Sequence, residues 1–165
     1  MQPNPPLSPE EKTQLVTGFI SNVPLFDPME RDELEVVAHY MELLFFSEGE
    51  TLFNEWDKGD YACFVVDGRL DVLTRRDNDR YKIIASLERG KSIGELSIIE
   101  NFPRMATLKA CTCGCVITFS REGFSALLEN HTQVGIKILK GLIGLLSHNL
   151  RKTSSRLSDY MLPMT

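Results

Sequence analysis

Hydrophobic and polar positions divide the chain into three regions with different periods. Residues 8–39 carry apolar side chains at the spacing of helix faces. Residues 40–120 alternate short β-rich runs with turn signals at fairly even spacing. From Arg121 onward the spacing is helical again. The pattern therefore predicts two short helices, then a β domain, then a helical C-terminal region.

Two proline-containing stretches predict where the N-terminal helices begin. In "SPEE", Ser8 suits the N-cap, Pro9 suits the first helical position, and Glu11 follows three residues after the cap. The stretch "DPME", which begins at Asp27, repeats this spacing and predicts the start of the second helix. Residues 1–7 contain three prolines and little to bury, so we expect them to be disordered.

The middle region contains about eight short strand patterns and no helical crossover between them. Asp67-Gly68 separates two of these patterns and is a strong hairpin signal. The stretch "RDNDR" is polar and predicts the tip of the next hairpin. Short strands without crossovers indicate a closed or sandwiched antiparallel structure. The predicted fold class is therefore mainly β, with helices at both ends.

A long helix is predicted from about Thr132 nearly to the end of the chain. It carries an a/d heptad seam over almost four heptads. The seam consists of Ile136, Leu139, Ile143, Leu146, Leu150, Thr153, Leu157 and Tyr160. Ile138, Leu142 and Leu145 lie off the seam and predict a second contact, most simply with the β domain. The second half is polar off the seam, which favours pairing with a second copy over a helix packed wholly on its own core.

Composition and charge narrow the class of function. The chain has 165 residues, is 42% hydrophobic and 25% charged, and so suits one soluble domain with a substantial core. A net charge of −5 and a pI near 5.2 argue against nucleic acid as a partner. We find neither a signal-peptide pattern nor an uninterrupted apolar span, so we expect a cytoplasmic protein without membrane contact.

Three cysteines, Cys111, Cys113 and Cys115, lie close together in "CTCGC". Paired metal-binding cysteines are usually separated by two residues, whereas one residue separates each pair here. The flanking residues indicate a strand or a strand-turn-strand, and alternation along a strand would place the three sulfurs on one face. Structural thiols are the favoured interpretation, and a metal or redox role stays open.

The stretch "GELSIIENFPRMAT" combines residue types that suit an anion bound to a sugar. Gly94 lets a backbone approach a ligand, and a short helical turn after it presents free N–H groups. Arg104 can donate two hydrogen bonds to phosphate oxygens. Glu95 can accept hydrogen bonds from sugar hydroxyls. The alternative is an ordinary solvated pair of charged residues.

The segment "IGELSIIENFPRMAT" resembles the phosphate-binding cassette of cyclic nucleotide-binding domains, as found in the bacterial cyclic-AMP receptor and anaerobic-regulator family. Upstream glycines agree with the same family pattern, and the resemblance covers about residues 20–160. The matching positions are Gly49, Gly59, Gly68, Gly90 and Gly94. The resemblance implies a double-stranded β-helix, also called a β-roll and similar to a jelly roll. It would span residues 8–131 with short flanking helices, and residues 132–165 would form the dimerisation helix and tail.

The resemblance also implies roles for individual residues. Arg104 would neutralise the cyclic phosphate, and Glu95 would accept the ribose 2′-hydroxyl. The remaining ligand-binding positions would be Gly94, Leu96, Ser97, Met105, Ala106, Thr153 and Ser154. Thr153 and Ser154 match a pair that contacts the base in the cyclic-AMP receptor. Met105 offers no hydroxyl where relatives often have one, which weakens an assignment to cyclic GMP.

The function that the resemblance implies is a bacterial regulatory module that senses a cyclic nucleotide, most simply cyclic AMP. It would act as a homodimer, signal to an unknown protein partner through its last helix, and need no cofactor besides this ligand. No winged helix follows the dimer helix, so direct DNA binding is not expected. No catalytic or metal constellation stands out, so we expect no enzyme. The alternative is a dimeric scaffold that has lost its ligand.

Overall fold

The computed structural model describes residues 7–76 and 80–161. Within this part the helices are α1 Pro9–Ile20, α2 Arg31–Ala38, α3 Arg121–Asn130 and α4 Thr132–Met161. The strands are β1 Met41–Phe46, β2 Thr51–Phe53, β3 Tyr61–Asp67, β4 Leu70–Arg76, β5 Arg80–Leu87, β6 Ser92–Ile93, β7 Thr107–Ala110 and β8 Gly114–Ser120. Two 3₁₀ turns cover Pro24–Phe26 and Glu95–Ile98. The predictions for residues 1–6, for residues 77–79 at the expected hairpin tip, for the side chain of Tyr160 and for residues 162–165 lie outside the described part.

The strands form two four-stranded antiparallel sheets, ordered β1-β8-β3-β6 and β2-β7-β4-β5. This arrangement confirms the predicted mainly-β fold class with helices at both ends. The hairpin predicted at Asp67-Gly68 is wrong, because β3 pairs with β6 and β8, whereas β4 pairs with β5 and β7. Gly68, with φ of +86°, turns the chain from one sheet into the other. The turn residues specify that the chain reverses direction. Which strands pair with each other depends on hydrogen bonds between segments far apart in the chain.

Strand β3 is buried on both faces and separates two apolar cores. Cys63 and Val65 face the core between the two sheets, which also contains Leu70 and Leu108. Alternate β3 residues, such as Phe64, belong to a second core beneath the helices. Because successive strand residues point to opposite faces, one strand serves both cores. The sheet that contains β3 is therefore the middle layer of the molecule.

The first N-terminal helix begins as predicted, and the second does not. Ser8 Oγ accepts a hydrogen bond from the N–H of Glu11, and Glu11 Oε2 accepts one from the N–H of Ser8. The two bonds form a complete capping box for α1. Helix α2 begins four residues after Asp27, at Arg31, with Glu30 as its N-cap. The N–H of Asp27 donates to Pro24 O, so Asp27 ends the preceding 3₁₀ turn instead of starting a helix.

The first half of α4 is anchored on the N-terminal helical segment. Ile138 and Leu142 are fully buried in the core beneath the helices. A methyl group added at Gly141 would collide with the carbonyl oxygen of Leu25, so this glycine permits close packing on the turn Pro24–Phe26. Lys137 Nζ lies 2.6 Å from Glu33 Oε2 of α2. Ile138 and Leu142 therefore pack in a core that the N-terminal helical segment shares with residues of β3 and β8.

The three clustered cysteines lie at a turn instead of along one strand. Cys111 and Cys113 belong to the connection between β7 and β8, and only Cys115 is in a strand. The prediction that alternation places three sulfurs on one face is therefore wrong. In residues 7–76 and 80–161, no group of three His, Cys, Asp or Glu side chains is arranged to hold a metal ion. Across the same residues, we find no helix long and apolar enough to cross a bilayer.

We expect opposite effects from adding one methyl group at each of the two glycines of α4. Gly141→Ala should destabilise the fold by about 1–3 kcal/mol, because the methyl group collides with the Leu25 carbonyl. Gly144→Ala should stabilise it by about 0.5–1 kcal/mol, because Gly144 has open space around it and alanine favours helix. Urea unfolding followed by circular dichroism measures both. Equal effects of the two substitutions would contradict the assigned packing of α4.

Candidate functional site

The 3₁₀ turn Glu95–Ile98 begins directly after Gly94, which has φ of +78°. A side chain is disfavoured there for two reasons. The positive φ is unfavourable for other residues, and an added methyl group would collide with Arg104 Nη1. The N–H of Ser97 donates to Gly94 O at 2.9 Å, so it is already used within the turn. The space left by the missing side chain at Gly94 is thus next to the guanidinium of Arg104.

Arg104 is a buried cation, with 4% of its surface exposed. Its Nη2 donates to Tyr61 O at 2.8 Å and its Nη1 donates to Ser97 Oγ at 3.2 Å. The guanidinium carbon lies 4.1 Å from the ring centre of Phe53 and 4.5 Å from that of Tyr61. Two cation–π contacts therefore hold the guanidinium in addition to its hydrogen bonds.

The charge of Arg104 has no carboxylate partner among the described residues. None of the ion pairs found there includes Arg104, and its Nε is buried without a hydrogen-bond acceptor. Glu95 instead accepts a hydrogen bond of 2.6 Å from Ser92 Oγ. The alternative of an ordinary solvated pair is therefore wrong. A buried cation with a free donor is costly unless an anion approaches it.

The loop between β2 and β3 fixes the backbone of Arg104 from the other side. The N–H of Trp56 donates to Arg104 O, and the N–H of Arg104 donates to Asp57 O, both at 2.8 Å. Trp56 has φ of +74° and is the one non-glycine residue with positive φ in the described part. Sequence reasoning missed Phe53, Tyr61 and Trp56. The available signal was the glycine motif around Gly59, which placed this loop in the family pattern but assigned it no contact.

The other candidate ligand residues fall into three environments. Leu96 and Met105 are exposed, whereas Ala106 is buried between the two sheets. Thr153 and Ser154 are exposed on the second half of α4 and make no hydrogen bond with the turn Glu95–Ile98 in the described part of the chain. The contacts therefore join Gly94, Ser97 and Arg104, with Glu95 in the same turn, whereas Leu96, Met105 and Ala106 are their neighbours along the chain and the α4 pair lies outside this group.

The predicted heptad seam is largely uncovered in the single chain. Ile136, Ile143, Leu146, Leu150 and Leu157 are exposed, whereas Leu139 is partly buried against the core beneath the helices. Exposed apolar side chains in a row along one helix face are typical of an interaction surface. The pairing of this face with a second copy remains a prediction.

Cys63 is a second buried group beside the site that the sequence did not single out. It is fully buried in β3, and burial raises the pKa of its thiol to about 12. The nearby Arg104 charge lowers this pKa and the Glu95 charge raises it, both by less than burial does. The Cys63 side chain is therefore a neutral, packed thiol at the base of the site.

A groove of about 750 Å³ lies elsewhere, between α1 and α2. Its lining includes Thr13, Gln14, Arg31 and His39, and none of the candidate ligand residues. The case for a site at Arg104 therefore depends on hydrogen bonding and uncompensated charge.

A model of the cyclic nucleotide-binding domain family matches residues 43–131. The chain belongs to this family. The match begins within β1 and includes β2 to β8, the turn Glu95–Ile98 and Arg104. It thus places the buried cation inside a cyclic nucleotide-binding domain.

Two curated relatives and one solved structure illustrate the similarity. A cAMP-dependent protein kinase regulatory subunit of Mycosarcoma maydis is 29% identical over 69% of this chain and 22% of its own length. A cGMP-dependent protein kinase of Plasmodium berghei is 32% identical over 69% of this chain and 13% of its own length. The crystal structure of a cyclic nucleotide-binding domain from Methylobacillus flagellatus matches with a TM-score of 0.76. It is 27% identical, and the match covers 91% of this chain and 84% of that one. This chain therefore spans less than a quarter of the length of these two kinase relatives.

At pH 8, iodoacetamide should alkylate Cys113 long before Cys63. Cys113 is exposed, whereas Cys63 is buried and its pKa of about 12 keeps the thiol protonated. Peptide mass spectrometry over time measures both rates, and denaturant should make them similar. Equal rates in the folded protein would contradict the placement of Cys63.

The raised pKa of Cys63 also makes the stability of the fold depend on pH. Between about pH 9, the reference pKa of a thiol, and about pH 12, unfolded Cys63 loses its proton while folded Cys63 keeps it. The contribution of this group to the free energy of unfolding is thus complete below about pH 9 and declines above it. In urea unfolding measured at several pH values above 9, Cys63→Ala should show a less steep loss of stability with rising pH than the wild type.

Proposed function

We propose that this chain is a regulatory module that senses cyclic AMP and passes the signal on through α4. One observation carries the proposal: the buried, uncompensated guanidinium of Arg104 lies beside Gly94 within a cyclic nucleotide-binding domain. A cyclic phosphate supplies the single negative charge that this cation lacks. Cyclic nucleotide-binding domains are regulatory, and the proposed module performs no catalysis.

Each polar group at the site has a proposed role in holding the nucleotide. The phosphate would accept from the free Nε–H of Arg104 and from the hydroxyl of Ser97, whose oxygen already accepts from Nη1. Glu95 binds Ser92 through Oε1, which leaves its other carboxylate oxygen for the ribose 2′-hydroxyl. Gly94, Leu96, Met105 and Ala106 would line the ring. In this arrangement Arg104 would bind the phosphate and Glu95 would bind the sugar.

The preference for cyclic AMP depends on residues near the base and the phosphate. Met105 has no hydroxyl to offer a guanine base or a phosphate, which disfavours cyclic GMP. Thr153 and Ser154 would contact the base when α4 closes over the site, either from this chain or from a second copy. The names of the two curated relatives include both cyclic nucleotides, so the test compares both ligands.

We further propose that α4 forms a parallel homodimer through its exposed seam. Its first half is anchored by Lys137 and Gly141, while Ile143, Leu150 and Leu157 remain uncovered. In this proposal residues 8–131 form the sensing unit and residues 132–165 the dimerisation helix and tail. The module would be a bacterial cytoplasmic protein that signals to a protein partner without binding DNA.

The second candidate function is a dimeric scaffold without a ligand. It is favoured by the position of the Arg104 guanidinium, which packs against the rings of Phe53 and Tyr61 and is almost fully covered. A phosphate would then reach it only after a rearrangement of these rings. Binding measurements separate the two candidates.

Titration calorimetry of the folded chain with cyclic AMP, cyclic GMP and cyclic di-GMP tests the sensor function. We expect saturable heat with cyclic AMP, and a loss of affinity of at least about 100-fold for Arg104→Gln, since two or more charged hydrogen bonds disappear. The control is Arg31→Gln, which removes an exposed arginine far from the cassette. No heat with any of the three nucleotides would favour the scaffold.

The dimer is tested by adding one charge on or off the seam. Leu150→Glu should convert the dimer to monomer, because two carboxylates would face each other in an apolar seam. Ser155→Glu adds the same charge two residues after Thr153, off the seam, and should leave the dimer intact. Sedimentation velocity measures the oligomeric state. A monomeric wild type would refute the proposed dimer.

A further inference from the structure

Arg121, the first residue of α3, is hydrogen-bonded to the cassette and to the loop between β2 and β3. Its Nε donates to Ser97 O at 3.1 Å, its Nη1 to Asn101 Oδ1 at 3.2 Å, and its Nη2 to Glu100 O at 2.6 Å. Nη2 also donates to Gly59 O in the loop between β2 and β3. One guanidinium thus binds three backbone carbonyls and one side chain from two separate segments.

The acceptors from the cassette are groups that a short turn cannot satisfy by itself. A helical turn leaves its last carbonyls without intrahelical partners. In the turn Glu95–Ile98 and the residues after it, Ser97 O and Glu100 O are such groups. Arg121 supplies the missing donors, and its planar fork reaches several acceptors at once. The C-terminal end of the cassette turn therefore depends on a residue of α3.

The remaining acceptor lies on the loop that holds the backbone of Arg104. Gly59 packs so closely on the cassette that an added methyl group would lie 2.9 Å from Ser97 Oγ. Three residues before Gly59, Trp56 bonds to the backbone of Arg104. The backbone N–H of Arg121 also donates to Asp60 O at 2.7 Å. Arg121 thus holds together the two segments between which Arg104 is fixed.

Behind Arg121, α3 packs directly on α4. Phe124 and Leu127 of α3 are buried in the same core as Ile138 of α4 and Ile98 of the cassette turn. The first half of α4 is in turn anchored to α2 through Lys137. A displacement of the cassette would therefore be transmitted to the first turn of α3, and from there to α4.

We infer that Arg121 is a positioning residue that links the nucleotide site to the α3–α4 pair. It keeps the cassette and the β2–β3 loop in register around Arg104, and it transmits changes in the cassette to the helices. The inference rests on the proposed function for the identity of the ligand. The contacts of Arg121 in the ligand-free protein can be tested whether or not the proposed function is correct.

Hydrogen–deuterium exchange of the full chain provides the test, with Arg121→Lys as the variant. Lysine keeps the charge but cannot reach the four acceptors together. Without ligand, we expect exchange in residues 94–104 to become at least about tenfold faster, since several charged hydrogen bonds are lost. The matched control, Arg31→Lys, should leave this segment unchanged. Unchanged exchange in Arg121→Lys would overturn the inference.

The second arm adds cyclic AMP. In the wild type, we expect altered exchange in both the cassette and α4. In Arg121→Lys, cyclic AMP should still protect the cassette, with weaker affinity, while the change is lost in the first half of α4, which packs on α3 and does not include Thr153 and Ser154. An α4 response equal to that of the wild type would overturn the inference, as would a wild type that binds cyclic AMP without any response in α4.

The inference can still be tested if Arg121→Lys does not fold or if the wild type binds no nucleotide. If Arg121→Lys does not fold, Asn101→Ala removes one acceptor only, and it should produce a smaller increase of exchange in the same segment. If the wild type binds no cyclic nucleotide, the proposed function fails. The ligand-free arm still decides whether Arg121 holds the cassette in place.

Discussion

The buried charge of Arg104 is the constraint on which the rest of the site depends. A guanidinium with 4% of its surface exposed must keep its hydrogen bonds, because the protein interior does not replace the water that it has lost. Tyr61 O, Ser97 Oγ and two aromatic rings provide part of this compensation, and Nε remains without an acceptor. The site is thus organised around a cation whose charge is unbalanced by the described residues.

The architecture explains how such a residue is held in place. Gly94 leaves the space that the guanidinium approaches, and the β2–β3 loop fixes the backbone of Arg104 through two hydrogen bonds. Arg121 then joins this loop to the cassette turn. These contacts come from segments far apart in the chain, and the two-sheet fold brings them together. The same connections lead from the site to α3, and through the shared core to α4.

Much of the fold could be predicted from periodicity and turn residues. The capping box at Ser8, the strand pattern between residues 40 and 120 and the long helix from Thr132 are local features, and the structure confirms them. Two predictions from local sequence signals are wrong, because other parts of the structure determine the conformation there. Asp67-Gly68 marks a reversal but not a hairpin, because both flanking strands find better partners elsewhere. The cap expected at Asp27 lies at Glu30, because Asp27 has helical φ and ψ at the end of the turn Pro24–Phe26, whereas an N-cap residue is extended.

The sequence by itself predicted the family and the local part of the candidate site, because the spacing of Gly94, Glu95 and Arg104 is local and matches a family pattern. Only the tertiary structure decided that Arg104 is buried against the rings of Phe53 and Tyr61, and that Arg121 is hydrogen-bonded to the cassette. The physical reason is that burial, ring stacking and carbonyl satisfaction depend on residues tens of positions apart. Their distances are set by strand pairing across the two sheets, which spacing along the chain does not specify.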